Sequence, residues 1–185
     1  MKTEQQYFEQ GLPMNDYMDN MSQLKDESFT IYEGFEVPME DGFVEKLKAA
    51  NVHILTITED WCGDAMLNNP IIRKIAEAAD VEVRTVLRDA DTDLIDRHLT
   101  NGGRGIPIYL VLNEAGEIVA KWGPRAQKLQ EFVMEGRAKL PAQDDEGFAE
   151  AQKQFYLDIR SRYINDSEFW GEVYESFKDA VGKAL

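Results

Sequence analysis

Cys62 is the one side chain in this 185-residue sequence whose type and setting point to covalent chemistry, and it is the sole cysteine. It sits where one kind of element gives way to another. Before it, Val52, Ile54, Leu55 and Ile57 form an apolar run of strand length, suited to a strand covered on both faces. After it, Met66, Leu67, Ile71, Ile72 and Ile75 recur at helical spacing as far as Ala78-Ala79. A sulfur at such a join meets unsatisfied backbone N–H groups and the positive end of the helix dipole. Both favour the thiolate, which is the reactive form.

Other candidates are weaker. Asp60, Cys62 and Asp64 carry donor atoms, but alternate residues at a strand–helix turn rarely converge on one ion. His53 and His98 stand alone in the sequence, and zinc would want more His or Cys than this. Asn101-Gly102-Gly103 lacks the Lys-Ser/Thr partner of a phosphate-cradling loop, and no hydrolase triad is visible. Neither a metal nor a cofactor is expected.

The residues around Cys62 resemble those of the thioredoxins. The family's Trp-Cys-Gly-Pro-Cys motif has its counterpart in Trp61-Cys62-Gly63-Asp64-Ala65, with the second cysteine replaced by alanine. Pro70 is placed like the proline that kinks the family's active-site helix. Arg104-Gly105-Ile106-Pro107 is similar to the loop whose cis-proline faces the cysteine. Gly116-Glu117-Ile118-Val119 resembles the hairpin turn that follows, and Gly123 the glycine closing that ribbon. The resemblance runs from about Asp41 to Arg137.

It implies an α/β, three-layer thioredoxin-like fold with a mixed central sheet, and an active site of Cys62 with Trp61, Gly63, Asp64, Ala65, Arg104, Ile106 and Pro107 around it. Thioredoxins attack a disulfide with the first cysteine and resolve the mixed disulfide with the second. Ala65 stands in the resolving position, and Thr56 stands where the family often keeps a buried Asp that helps deprotonate the resolving thiol. Resolving thiol and base are thus absent together. Two readings follow. In one, Cys62 is a monothiol that exchanges with a disulfide-bearing protein or a small-thiol mixed disulfide and is released by an external reducing thiol. In the other, the Cys62–Pro107 groove holds an extended peptide without turnover.

Asp64 opposes thiolate formation. At about 7 Å and an effective dielectric of roughly 20–80, the repulsion is on the order of 0.6–2.4 kcal/mol. Stabilisation by the helix terminus is roughly 0.3–2 kcal/mol, so the two nearly balance. Arg104 would tip the balance toward thiolate if it reached inward; an exposed position is the commoner fate of such an arginine.

Composition narrows the function further. With 35 acidic and 20 basic residues the net charge is −15, which disfavours partners such as nucleic acid or an anionic membrane. The 43% hydrophobic content is that of a soluble globular chain. No run approaches twenty apolar residues, and Met1–Gln10 does not read as a secretory signal. A lone cysteine suits a reducing compartment, so a cytoplasmic protein is expected.

The elements that must position Cys62 are readable from periodicity. Residues 1–40 are expected to form an N-terminal helical extension, with a helix starting near Pro13-Met14 and Ser28–Pro38 as an irregular strand or connector. Residues 41–140 form the thioredoxin-like domain: a helix over Glu40–Ala50, a strand over Val81–Arg88 parallel to the first, and a short helix over Asp91–Thr100. An antiparallel hairpin of Ile108–Leu112 and Ile118–Trp122 and a helix over Pro124–Lys139 complete it. Residues 141–185 are expected to give two helices separated at Asn165-Asp166-Ser167. Their aromatic residues, Phe148 to Phe177, should pack on the domain or on a partner chain.

Overall fold

A computed structural model describes residues 1–185 as nine helices and five strands. The N-terminal part holds α1 (Glu4–Gln10), β1 (Leu12–Pro13), α2 (Met14–Asp19), α3 (Lys25–Gly34) and α4 (Phe43–Ala49). The central part continues with β2 (His53–Thr58), α5 (Gly63–Ala78), β3 (Val83–Leu87) and α6 (Thr92–Asp96). Then come β4 (Ile108–Leu112), β5 (Ile118–Trp122) and α7 (Gln127–Ala138), followed by α8 (Phe148–Asn165) and α9 (Ser167–Gly182).

The sheet runs β1-β3-β2-β4-β5, with β2 and β3 parallel and every other pair antiparallel. Thr56, at its centre, pairs with Thr85 on one side and Tyr109 on the other. Side chains alternate across the sheet with the period of two that a strand imposes. Ile54, Tyr109 and Val111 enter a core of 32 buried residues with α2, α3, α5, α7 and α9. Leu55, Ile57, Ile108, Leu110 and Leu112 enter a second core of 12 with α1 and α6. Helices therefore cover both faces, and β2 is buried from Ile54 to Thr58 because neither face meets water.

Two stretches differ from their expected form. Ser28–Pro38, read as a strand or connector, lies largely within the helix α3. Its signal is faint because only Ser28 and Ile31 are buried, and its N-cap, Leu24, supplies no side-chain hydrogen bond. What holds α3 is tertiary: the Ser28 hydroxyl donates to the Met66 carbonyl of α5 at 3.0 Å. The N-terminal extension is also not wholly helical. Leu12 pairs with Thr85, so β1 joins the sheet edge, and α1 before it is held by a capping box between Thr3 and Gln6.

The C-terminal helices belong to the main core. Val173, Tyr174, Phe177 and Val181 are buried along one stripe of α9. Phe177 packs edge-on against Trp122 at 5.8 Å, and the Trp122 indole donates to Ser176 at 2.9 Å. Each large apolar side chain buried this way is worth roughly 1.5–3 kcal/mol. On α7, a Cβ at Gly136 would lie 2.1 Å from the Phe155 ring, so the α7–α8 contact depends on that glycine.

Candidate functional site

Cys62 is the N-cap of α5, in extended conformation (φ −81°, ψ 122°), and only 9% exposed. The strand before it is pinned between β3 and β4, and the helix after it is buried along most of its length, so the sulfur has little freedom. The Asp64 and Ala65 N–H groups are turned toward the sulfur and favour its charged form, without closing a capping hydrogen bond. The thiol instead donates to the Ile106 carbonyl at 3.6 Å, a weak contact of the kind sulfur makes. Burial, and after it the charge of Asp64, push the Cys62 thiol up to about 11. The two amides and Arg125 pull the other way and are outweighed.

Asp64 is held by two residues that sequence reasoning missed. Arg125 grips both its oxygens, Nε to Oδ1 at 2.9 Å and Nη2 to Oδ2 at 2.9 Å. The Tyr163 hydroxyl, from α8, donates to Oδ1 at 2.9 Å. The guanidinium near Cys62 is thus that of Arg125 and not of Arg104. Arg104 lies at the surface, where its fork is taken by Asp96 at 2.7 and 2.9 Å. Arg125 follows Gly123-Pro124 at the end of β5, and its distance in sequence from Asp64 left no local signal. The aromatic spacing of α8 marked Tyr163 as buried but gave no hint of what its hydroxyl met.

The remaining expected neighbours lie in the Cys62 turn and in the loop whose carbonyl the thiol meets. The Ile106–Pro107 bond is cis, and Ile106 and Pro107 are buried beside the sulfur's acceptor. The Ile106 N–H makes no hydrogen bond within the chain. Trp61 is 46% exposed, with the Arg88 guanidinium over its ring at 5.1 Å. A Cβ at Gly63 would meet nothing within 4 Å, whereas Ala65 is buried in the smaller core. Thr56, in the place of the family's buried acid, has its hydroxyl enclosed with no partner. Gly123 has φ +115°, and a Cβ there would come within 2.3 Å of the Pro107 carbonyl, so the ribbon can close on this loop only at glycine.

The other candidates are dispersed. Asp60 accepts from the Ser22 amide and hydroxyl at 2.8 Å, while Asp64 turns to Arg125, so the two acids do not converge on Cys62. His53 meets Gln5 at 2.7 Å and His98 meets Glu4 at 3.0 Å, and burial lowers the pKa of both. No three His, Cys, Asp or Glu side chains are grouped so as to hold a metal ion.

A family model described as thioredoxin matches residues 11–143, well over half of the sequence, and takes in the sheet, the Cys62 turn and the cis-proline loop. The chain belongs to the thioredoxin family. The family match starts before β1, in keeping with that strand's place in the sheet. Two solved structures share this thioredoxin-like fold. One is a protein of unknown function from Pseudomonas aeruginosa, 16% identical, with a TM-score of 0.62 over 97% of this chain and 99% of that one. The other is an HIV epitope-scaffold, 18% identical, with a TM-score of 0.61 over the same shares. Among curated proteins none matches. No helix is long and apolar enough to cross a membrane.

Proposed function

We propose that this thioredoxin-family protein is a binding module that holds an extended peptide in the groove between Cys62 and the Ile106–Pro107 loop, without disulfide turnover. The observation that carries this reading is the pairing of a protonated, enclosed thiol with a free backbone donor beside it. At neutral pH a thiol pushed up to about 11 is almost wholly S–H, and here it donates to the Ile106 carbonyl. The neighbouring Ile106 N–H has no partner in the chain, and an extended peptide would supply an acceptor for it. Ala65 leaves no means of resolving a mixed disulfide within the molecule. A lone thiol of this kind suits the reducing cytoplasm.

Monothiol exchange remains as the second reading, on the strength of the Asp64 and Ala65 amides aimed at the sulfur. Its partners would be a disulfide-bearing protein or a small mixed disulfide, and an external thiol would release the adduct by attacking the sulfur bound to Cys62. The experiment follows backbone amides by NMR while two panels of extended peptides are added, one free of cysteine and one carrying a disulfide. Binding with a downfield shift of the Ile106 amide supports the module. Binding confined to peptides that carry a disulfide, with an adduct at Cys62, supports exchange instead.

A further inference from the structure

A cavity of about 650 Å³ lies at the carboxyl ends of β2 and β3, and neither Cys62 nor Ile106 nor Pro107 lines it. That is the end of an α/β sheet at which ligands commonly bind, and the volume falls within the usual span for a small organic molecule. Its roof is the N-terminal segment, which supplies Tyr7, Tyr17 and Met21; Ile57, Val86 and Leu94 complete the apolar wall.

The charged groups of the wall are mostly acidic. Glu59, Asp60 and Asp91 line the cavity against a single base, the exposed Lys2. None of the three carboxylates takes part in an ion pair, although most basic residues near the sheet do. Asp60 and Asp91 are satisfied by the Ser22 and Asp93 amides and the Ser22 and Tyr7 hydroxyls. Glu59 is not. It is 8% exposed, its Oε1 accepts the Asp89 N–H at 2.9 Å, and its Oε2 has no partner. The Tyr17 hydroxyl, also enclosed, faces Thr58 without meeting hydrogen-bond geometry. A carboxylate with no counter-charge and one oxygen left unpartnered beside the cavity attracts a cation.

We propose that this cavity binds a small organic cation, an amine on an aromatic or branched apolar body, with the amine at Glu59 and the body against Tyr17, Met21 and Leu94. Neither Cys62 chemistry nor peptide binding is required for it.

The test uses the full chain and three probes of one shape: tryptamine, its neutral alcohol tryptophol and the anion indole-3-propionate, each followed by NMR of backbone amides. Tryptamine should saturate a single site, shifting the amides of Asp60, Leu87 and Asp91, and bind at least about tenfold more tightly than tryptophol, the scale of one charge-assisted hydrogen bond. Indole-3-propionate should bind weakest. Glu59→Gln should erase the advantage of the amine over the alcohol, and Ala90→Trp, at an exposed position on the mouth, should block both. Equal affinity for the three probes, tightest binding of the anion, shifts mapping away from the cavity, or no saturable shift with any probe would each overturn the proposal. The comparison on the unaltered chain decides it even if a variant folds poorly.

Discussion

Arg125 and Asp64 meet face to face, guanidinium on carboxylate, with both contacts at 2.9 Å and the side chains 19% and 13% exposed. Asp64 lies in the first turn of α5, two residues after Cys62; burial first and then this acid disfavour the thiolate, and the base that would favour it is engaged by the acid.

Asp64→Asn should therefore make Cys62 more acidic. Relief of the repulsion corresponds to a roughly 3- to 50-fold rise in thiolate at a given pH. Stability should fall by about 1–3 kcal/mol, because Arg125 loses a charge-assisted partner. Alkylation rates at pH 8 and urea denaturation read the two effects separately. A slower alkylation in the variant would contradict this account of the site.

The Cys62 thiol also makes stability depend on pH. Its folded pKa, about 11, lies above its ordinary value of 9.0, so the folded state favours the neutral thiol. The contribution is complete below pH 9 and is lost as the pH rises from about 9 to 11, with a ceiling of roughly 2–3 kcal/mol. Tyrosines titrate in the same window, so the measure is the difference between wild type and Cys62→Ala. The wild type should lose stability more steeply above pH 9; parallel curves would mean that the thiol is not perturbed.

Gly123→Ala should cost about 2–4 kcal/mol, since the methyl would collide with the Pro107 carbonyl and φ is positive. The readout is chemical denaturation, with a loss under 0.5 kcal/mol counting against the close approach.

Thr56→Val should be neutral or stabilising by up to about 1 kcal/mol, because it replaces an enclosed hydroxyl without a partner by a methyl of similar size. A clear destabilisation would mean that the hydroxyl is satisfied after all.

How much of this was legible in the sequence depended on the range of the interactions. The Val52–Thr58 strand, the helix after Cys62 and the hairpin across Asn113–Gly116 follow from local apolar spacing and turn residues, and each element is found close to its expected place. The α3 helix was not legible, because two buried residues in ten leave no periodic stripe. The two-residue strand β1 was hidden for a similar reason: its pairing to Arg84 and Thr85 is set by the far side of the chain. At the site, the order Trp61 to Ala65 could be read directly. The partners of Asp64 lie 61 and 99 residues away, brought there by the turn after β5 and by the docking of α8.

The most direct test of the central claim is the rate of Cys62 alkylation by iodoacetamide across pH 6–11, read by mass spectrometry against an unstructured cysteine peptide. A protonated, enclosed thiol predicts slower reaction than the peptide throughout pH 6–9 and a midpoint near 11. A midpoint at or below that of the peptide, with faster reaction near neutral pH, would contradict it and return Cys62 to the role of a working monothiol.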